Sequence, residues 1–254
     1  MKGLIYKDFL CLRKNIRTFA FVTVGMIIMG IMFLLSSQYG NVAVMFEETM
    51  QESGMEAEDF NQVMRISVWF MLILPVCFIA DVTQCFREDN RVGFHKVLSG
   101  VALTPGQIVG SRYLTTLIYG AISMTVAMFC AFLITVVPSK IELDNLYIGI
   151  ITVTAGFLLY MSFNLFMTYL CGARRADLIQ MLPLIVMLVA NGVLAGKFGS
   201  MTDEQMNTLI RNATDVVLWF LENGYKILIP AAVAGMLLSY AGSVAVYKRR
   251  RRVL

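Results

Sequence analysis

The chain has 254 residues, of which 58% are apolar and only 15% charged, with a mean hydropathy of +0.71. Soluble domains carry roughly 45–50% apolar and about 25% charged residues, so this composition excludes a soluble fold and leaves no room for a separate soluble catalytic domain. The formal net charge of +4 is too small an excess to point to nucleic acid. What remains is an all-α polytopic membrane protein, with one transmembrane domain over residues 1–254.

Residues 1–18 place Met1, Ile5, Phe9, Leu12 and Ile16 on one helical stripe, with Lys2, Lys7, Arg13, Lys14 and Arg17 largely elsewhere. That pattern predicts an N-terminal interfacial amphipathic helix. Charges continue through Arg17 before any apolar run begins, so this stretch is not expected to be a signal peptide. Six hydrophobic segments follow, at about 19–38, 66–86, 113–137, 146–171, 179–196 and 227–247. Each is about 18–26 residues, enough to cross a core of about 30 Å at 1.5 Å per residue. Pro75, Pro183 and Pro230 lie inside the second, fifth and sixth segments and predict kinks there. The first outer loop gathers Glu47, Glu48, Glu52, Glu56, Glu58 and Asp59, which reads as a solvated face rather than an attraction for a cationic substrate. Segment 202–221 opens with Thr202-Asp203-Glu204-Gln205, a capping box, and is expected to lie along the outer leaflet. Trp69 and Trp219 fall near the outer interface, where indole rings prefer to sit.

Basic residues set the orientation. With the N-terminus inside, sixteen of the 21 Lys and Arg fall on inner segments, among them Lys2, Lys7, Arg87, Arg91, Lys96, Arg112, Arg174, Arg175 and the run Lys248 to Arg252. Five fall outside. This predicts cytoplasmic termini, and the basic tail acts as a stop on the anionic inner leaflet.

Catalytic groups are sparse. Hydrolases in membranes need paired carboxylates, histidine clusters or a nucleophile with its base. Asp81 is the only carboxylate within a predicted span. It is either a functional ionisable group or a residue that pairs or snorkels. His95 is the only histidine, and the five cysteines form neither a CxxC nor a Cys/His cluster, so no metal site is expected. Asn164 and Asn191 are mid-membrane polar residues that either line a substrate route or hydrogen-bond between helices. No GxxxxGK[ST] loop is present to cradle ATP, so the chain is not expected to be an enzyme by itself. Uphill movement of any cargo would need another subunit's work.

The inner loop between the second and third segments is long and mixed in charge. It holds Phe86, Arg87, Glu88, Asp89, Arg91, Gly93, Phe94, Lys96, Val97 and Leu98. That is the composition of a helix that docks into a partner's groove, or of one that only touches headgroups. On these residues, with Met1, Lys2, Leu4, Lys7 and Asp8 at the start and Pro105, Ile108, Val109, Arg112, Tyr113 and Leu114 after the loop, the chain resembles the membrane subunit of bacterial ABC-2 type exporters. At residue level the likeness covers about a fifth of the chain, and the order of the motifs carries it. The family's Lys-Asn-Gly turn is replaced here by Asn90-Arg91-Val92-Gly93, and Gly106-Gln107 follows Pro105.

The resemblance implies a coupling helix in this loop, seated in a cleft of a separate ATPase subunit and meeting it through Glu88, Asp89, Arg91 and Lys96. Two such ATPases would bind ATP and Mg. A second membrane subunit, identical or related, would complete the assembly. The implied activity is export of an amphipathic, peptide-like or toxic substrate across the cell membrane. A non-transporting scaffold or self-protection subunit, recruiting a partner through the same loop, is the competing expectation.

Overall fold

The computed structural model describes residues 2–39, 68–69, 71–94, 103–136, 146–172, 216–217, 219–220 and 223–251. Among the described residues there is no strand. We label the α-helices α1 (Lys2–Tyr39), α2 (Gln84–Val92), α3 (Pro105–Val136), α4 (Leu146–Cys171) and α5 (Tyr225–Arg251). Residues 71–77 are also helical and lead through a 3₁₀ segment, Phe78–Thr83, into α2. Four helices are long and apolar enough to cross a membrane: Lys2–Met32, Pro105–Val136, Leu146–Cys171 and Tyr225–Arg249.

These agree with the first, third, fourth and sixth hydrophobic segments, with two differences at helix starts. The first concerns the N-terminus. Residues 1–18 do not form a separate helix; α1 runs unbroken into the apolar run. The reason is local, because residues 4–24 contain neither Gly nor Pro to turn the chain. At 1.5 Å per residue α1 is about 57 Å long, well beyond the roughly 30 Å hydrocarbon core. The second concerns α3, which begins eight residues earlier than its apolar run. Thr104 Oγ1 accepts from the Gln107 amide (3.3 Å), and Gln107 Oε1 accepts from the Thr104 amide (3.1 Å). This reciprocal cap, with Pro105 at the first helical position, starts the helix where hydropathy alone does not.

In the second segment, which carries Pro75, helix type changes at Phe78. α5 continues through Pro230. The fifth segment with Pro183, and all but a few residues of 202–221, lie outside the described residues.

Contacts fix the directions. Asp8 meets Arg112, Phe19 lies 6.4 Å from Tyr119 between ring centroids, and Gly30 faces Ile134, so α1 and α3 run parallel. The second segment runs back between them: Met71 faces Gly30, Phe78 stacks edge-on against Phe19 at 5.0 Å, and Cys85 reaches Asp8. α4 is antiparallel to α3, with Gly120 against Leu158 and the earlier Val109 and Tyr113 clustered with the later Leu165. α5 is parallel to α4. Gly156 faces Leu228, Gly235 faces Leu159, Gly242 faces Phe166, and Tyr169 stacks on Tyr247. The main core joins Leu12, Leu72, Val76, Ile79, Val82, Tyr119, Ile150 and Met161. A smaller cluster of Val109, Tyr113, Leu165 and Met236 attaches α5. Outward, Phe21 (82% exposed) and Leu238 (75%) stand among many bare apolar side chains. A surface of this kind is stable against lipid and aggregates in water.

Trp69 does not sit as an interfacial anchor. Its ring is buried against Gly149, whereas Trp219 is exposed. A Cβ on Gly149 would lie 2.0 Å from Trp69 Cη2. Gly149→Ala must therefore shift the indole, and overpacking of this kind costs about 1–3 kcal/mol. In a Trp219→Phe background, the expected result is a lower unfolding temperature with a red-shifted Trp69 emission.

Candidate functional site

Among the described residues, linked ion pairs gather where α1, α2 and α3 meet. Asp8 is 1% exposed. An isolated buried carboxylate costs several kcal/mol unless partners replace its water. Arg112, itself almost fully buried, places Nη1 2.7 Å from Asp8 Oδ1 and contacts Asp89 Oδ2 through Nη2. Lys7 Nζ donates to both carboxylate oxygens of Asp89, at 2.6 and 2.8 Å, and lies 3.3 Å from Asp8 Oδ1. Two acids and two bases thus cancel. The Arg112–Asp8 contact is off the hydrogen-bond axis, so Nη1 and Oδ1 attract as charges without a formed hydrogen bond. Thr115 Oγ1 lies 3.4 Å from the other Asp8 oxygen, and the Cys85 thiol points at the Asp8 carbonyl at 3.6 Å.

Two aromatic rings back the cations. The Phe86 ring centroid is 4.9 Å from the Arg112 guanidinium, and Phe94 is 4.1 Å from Lys7 Nζ. Such contacts strengthen when desolvated. Local sequence places each group. The Thr104–Gln107 cap sets α3 so that Arg112 comes two turns later. Gly93, with φ +67°, ends α2 in the left-handed region that favours glycine, and its amide donates to the Asn90 carbonyl at 3.3 Å. The turn carries Phe94 to Lys7.

Of the residues singled out by sequence, Lys7, Asp8, Phe86, Asp89 and Phe94 come together here. Leu4 is half-buried on α1. Glu88 and Arg91 point away and pair with each other at 3.0 Å, with Arg91 76% exposed. Arg87 is also exposed, and Gly93 is the α2 stop. Asn164 is buried on α4, where its backbone carbonyl accepts from Thr168 Oγ1 at 2.9 Å. Asp81 takes a hydrogen bond from Asn15 of α1. Lys96, Leu98 and Asn191 lie outside the described residues.

Sequence reasoning assigned Arg112 no site role. The signal was available, since Arg112 is the only charged residue between Pro105 and Val136. A lone cation in an apolar helix requires a partner.

Membrane-length helices fastened at one end by a neutral ion-pair cluster define a helical membrane protein. The chain belongs to the ABC-2 transporter family: the model of that family, described as ABC-2 family transporter protein, matches residues 57–248. It is a membrane transport protein of that class. No curated protein matches the chain, and no solved structure does.

Removing one partner of a buried pair strands the other charge, at about 3–5 kcal/mol. Arg112→Met alone and Asp8→Leu alone are expected to lower the unfolding temperature of the purified protein sharply. The double variant keeps the Lys7–Asp89 pair and should recover most of the loss. Losses that simply add in the double variant would show that the two side chains act independently.

Proposed function

We propose that the chain is the membrane-spanning permease subunit of a bacterial ATP-binding-cassette exporter, driven by a separate ATPase. Family membership supports a transport permease. The observation that carries the coupling is the grip on α2. Asp89 holds it to Lys7 of α1 and to Arg112 of α3, while Arg87, Glu88, Arg91 and Val92 remain on its open side. Force applied to that side reaches two membrane helices through ion pairs rather than through a slack loop. In this reading α2 belongs to the coupling element, and Lys96 and Leu98 extend it. ATP and Mg bind only to the partner ATPase, present in two copies beside two membrane subunits. Export of an amphipathic or peptide-like substrate is the direction this reading assigns.

The proposed topology has six spans with both termini in the cytoplasm. Parallel packing supports the count. Neighbouring parallel helices in a bilayer need a return crossing between them. For α1 and α3, the segment through Phe78–Thr83 and α2 runs back in that direction. For α4 and α5 the return must come from residues between Cys171 and Tyr225, where 179–196 is the apolar stretch. The sixteen-to-five division of basic residues supports the orientation.

The test is a gentle-detergent purification of the chain from its native membrane, scored for a co-purifying ATPase with a phosphate-binding loop. Glu88→Ala with Arg91→Ala changes only the open side of α2. It is expected to reduce recovery of the ATPase about tenfold, equivalent to about 1.4 kcal/mol, without lowering the unfolding temperature of the chain. No ATPase from the unchanged protein, under conditions that preserve other membrane complexes, would overturn the reading.

A further inference from the structure

The parallel pair α4 and α5 leaves a groove of about 720 Å³ along its outer side. Gly156, Tyr160, Phe163, Phe166, Leu238 and Gly242 form its walls. Phe163 and Leu238 are more than half exposed, so it opens away from the bundle. The serine hydroxyls beside it already have partners. Ser162 Oγ donates to the Leu159 carbonyl at 2.7 Å, and Ser239 Oγ donates to the Ser162 carbonyl. Tyr113 of α3 reaches Ser239 and Ser243 from the inner side. What the groove offers outward is therefore mainly hydrocarbon, with the Tyr160 phenol on one wall, which selects an apolar chain.

Depth and charge narrow the occupant. Gly156 and Phe166 are ten steps apart on α4, about 15 Å at the helical rise and about half of a 30 Å hydrocarbon core. That is the reach of one acyl chain in one leaflet. On α5, Gly235, Gly242 and Arg249 recur every seven residues, a spacing that keeps them on one stripe of the helix. Arg249 is exposed, and it lies about 21 Å along the axis from Gly235. Half of a whole bilayer of about 40–45 Å is the same distance. An occupant whose tail begins at Gly235 thus has its headgroup at Arg249. Lys248, also exposed, points about 120° from that stripe at 100° per residue.

We propose that this groove binds an anionic glycerophospholipid, with one acyl chain between α4 and α5 and the headgroup phosphate at Arg249. The site holds lipid from the leaflet at the basic end of α5. It does not depend on the transport reading.

Native mass spectrometry of the full chain in mild detergent tests it, with titrations of phosphatidylglycerol and phosphatidylcholine of identical acyl chains. Phosphatidylglycerol should bind more tightly. Arg249→Ala should weaken it about fivefold, the worth of one basic residue near a lipid surface. Arg249→Lys should retain binding, and so should Lys248→Ala, which removes the same charge off the stripe. Gly156→Leu fills the groove and should lower binding of both lipids. Its Cβ meets Leu228 Cδ1 at an ordinary 3.6 Å. If that variant fails to fold, Leu238→Trp is the second occluding change. Equal binding of the two lipids would overturn the proposal. So would equal losses for Arg249→Ala and Lys248→Ala, which would indicate a diffuse basic tail. Binding that survives both occluding variants, or a groove closed by a second copy of the chain instead of lipid, would overturn it as well.

Discussion

A single buried carboxylate, Asp8, constrains the arrangement of this bundle's charged end. With 1% of its surface exposed it cannot keep its water, so charge must come to it from other helices. Arg112 supplies one cation, but Arg112 is itself buried and also meets Asp89; Asp89 in turn is held by Lys7. The requirement closes into a loop of four groups on three elements. Replacing such a cluster by well-packed apolar side chains can be neutral or even stabilising, whereas breaking it is costly. Its contribution is therefore best read as geometric: one relative placement of α1, α2 and α3 satisfies all four charges together.

Away from the charges, a different constraint holds the helices. Lipid is as apolar as the helix faces, so burial of apolar surface gives little drive for one helix to pack on another. Close fit has to replace it. Glycine permits that fit where large side chains lie against a helix backbone: Trp69 on Gly149, Leu159 on Gly235, and Phe166 on Gly242, each closer than a Cβ would allow. The α4–α5 pair shows the consequence. Its inner side is tight and closed by the Tyr113, Ser239 and Ser162 hydrogen bonds, while the same small residues leave its outer side grooved.

Much of this was legible in the sequence, and the parts that were not have identifiable causes. Hydropathy located the apolar runs of α1, α3, α4 and α5 because twenty consecutive apolar residues have few other meanings. It misplaced the start of α3, since the Thr104–Gln107 cap acts through hydrogen bonds and not through apolarity. It also divided α1 at Arg17, because a change from amphipathic to apolar composition reads as a boundary even where nothing bends the backbone. For the site, Lys7, Asp8 and Asp89 were visible as charged residues in unusual places. Their convergence was not, because it joins positions more than eighty residues apart. Glu88 and Asp89 are chemically near-equivalent, and sequence placed both toward a partner.

The 3₁₀ segment sets which residue of α2 turns inward. Residues in a 3₁₀-helix turn about 120° each and rise about 2.0 Å, against about 100° and 1.5 Å in an α-helix. Over the six residues Phe78–Thr83 the surplus is about 120° of rotation and about 3 Å of length relative to a continuous α-helix. Successive residues of α2 are about 100° apart. A uniform helix from Met71 onward would thus have turned α2 back by slightly more than one residue's worth, and Asn90 rather than Asp89 would face α1. The change of helix type brings Asp89 to Lys7 and Arg112 and leaves Glu88 to pair with Arg91 on the open side. The inward placement of a carboxylate therefore depends on backbone geometry in the preceding turns as much as on the charged residues themselves.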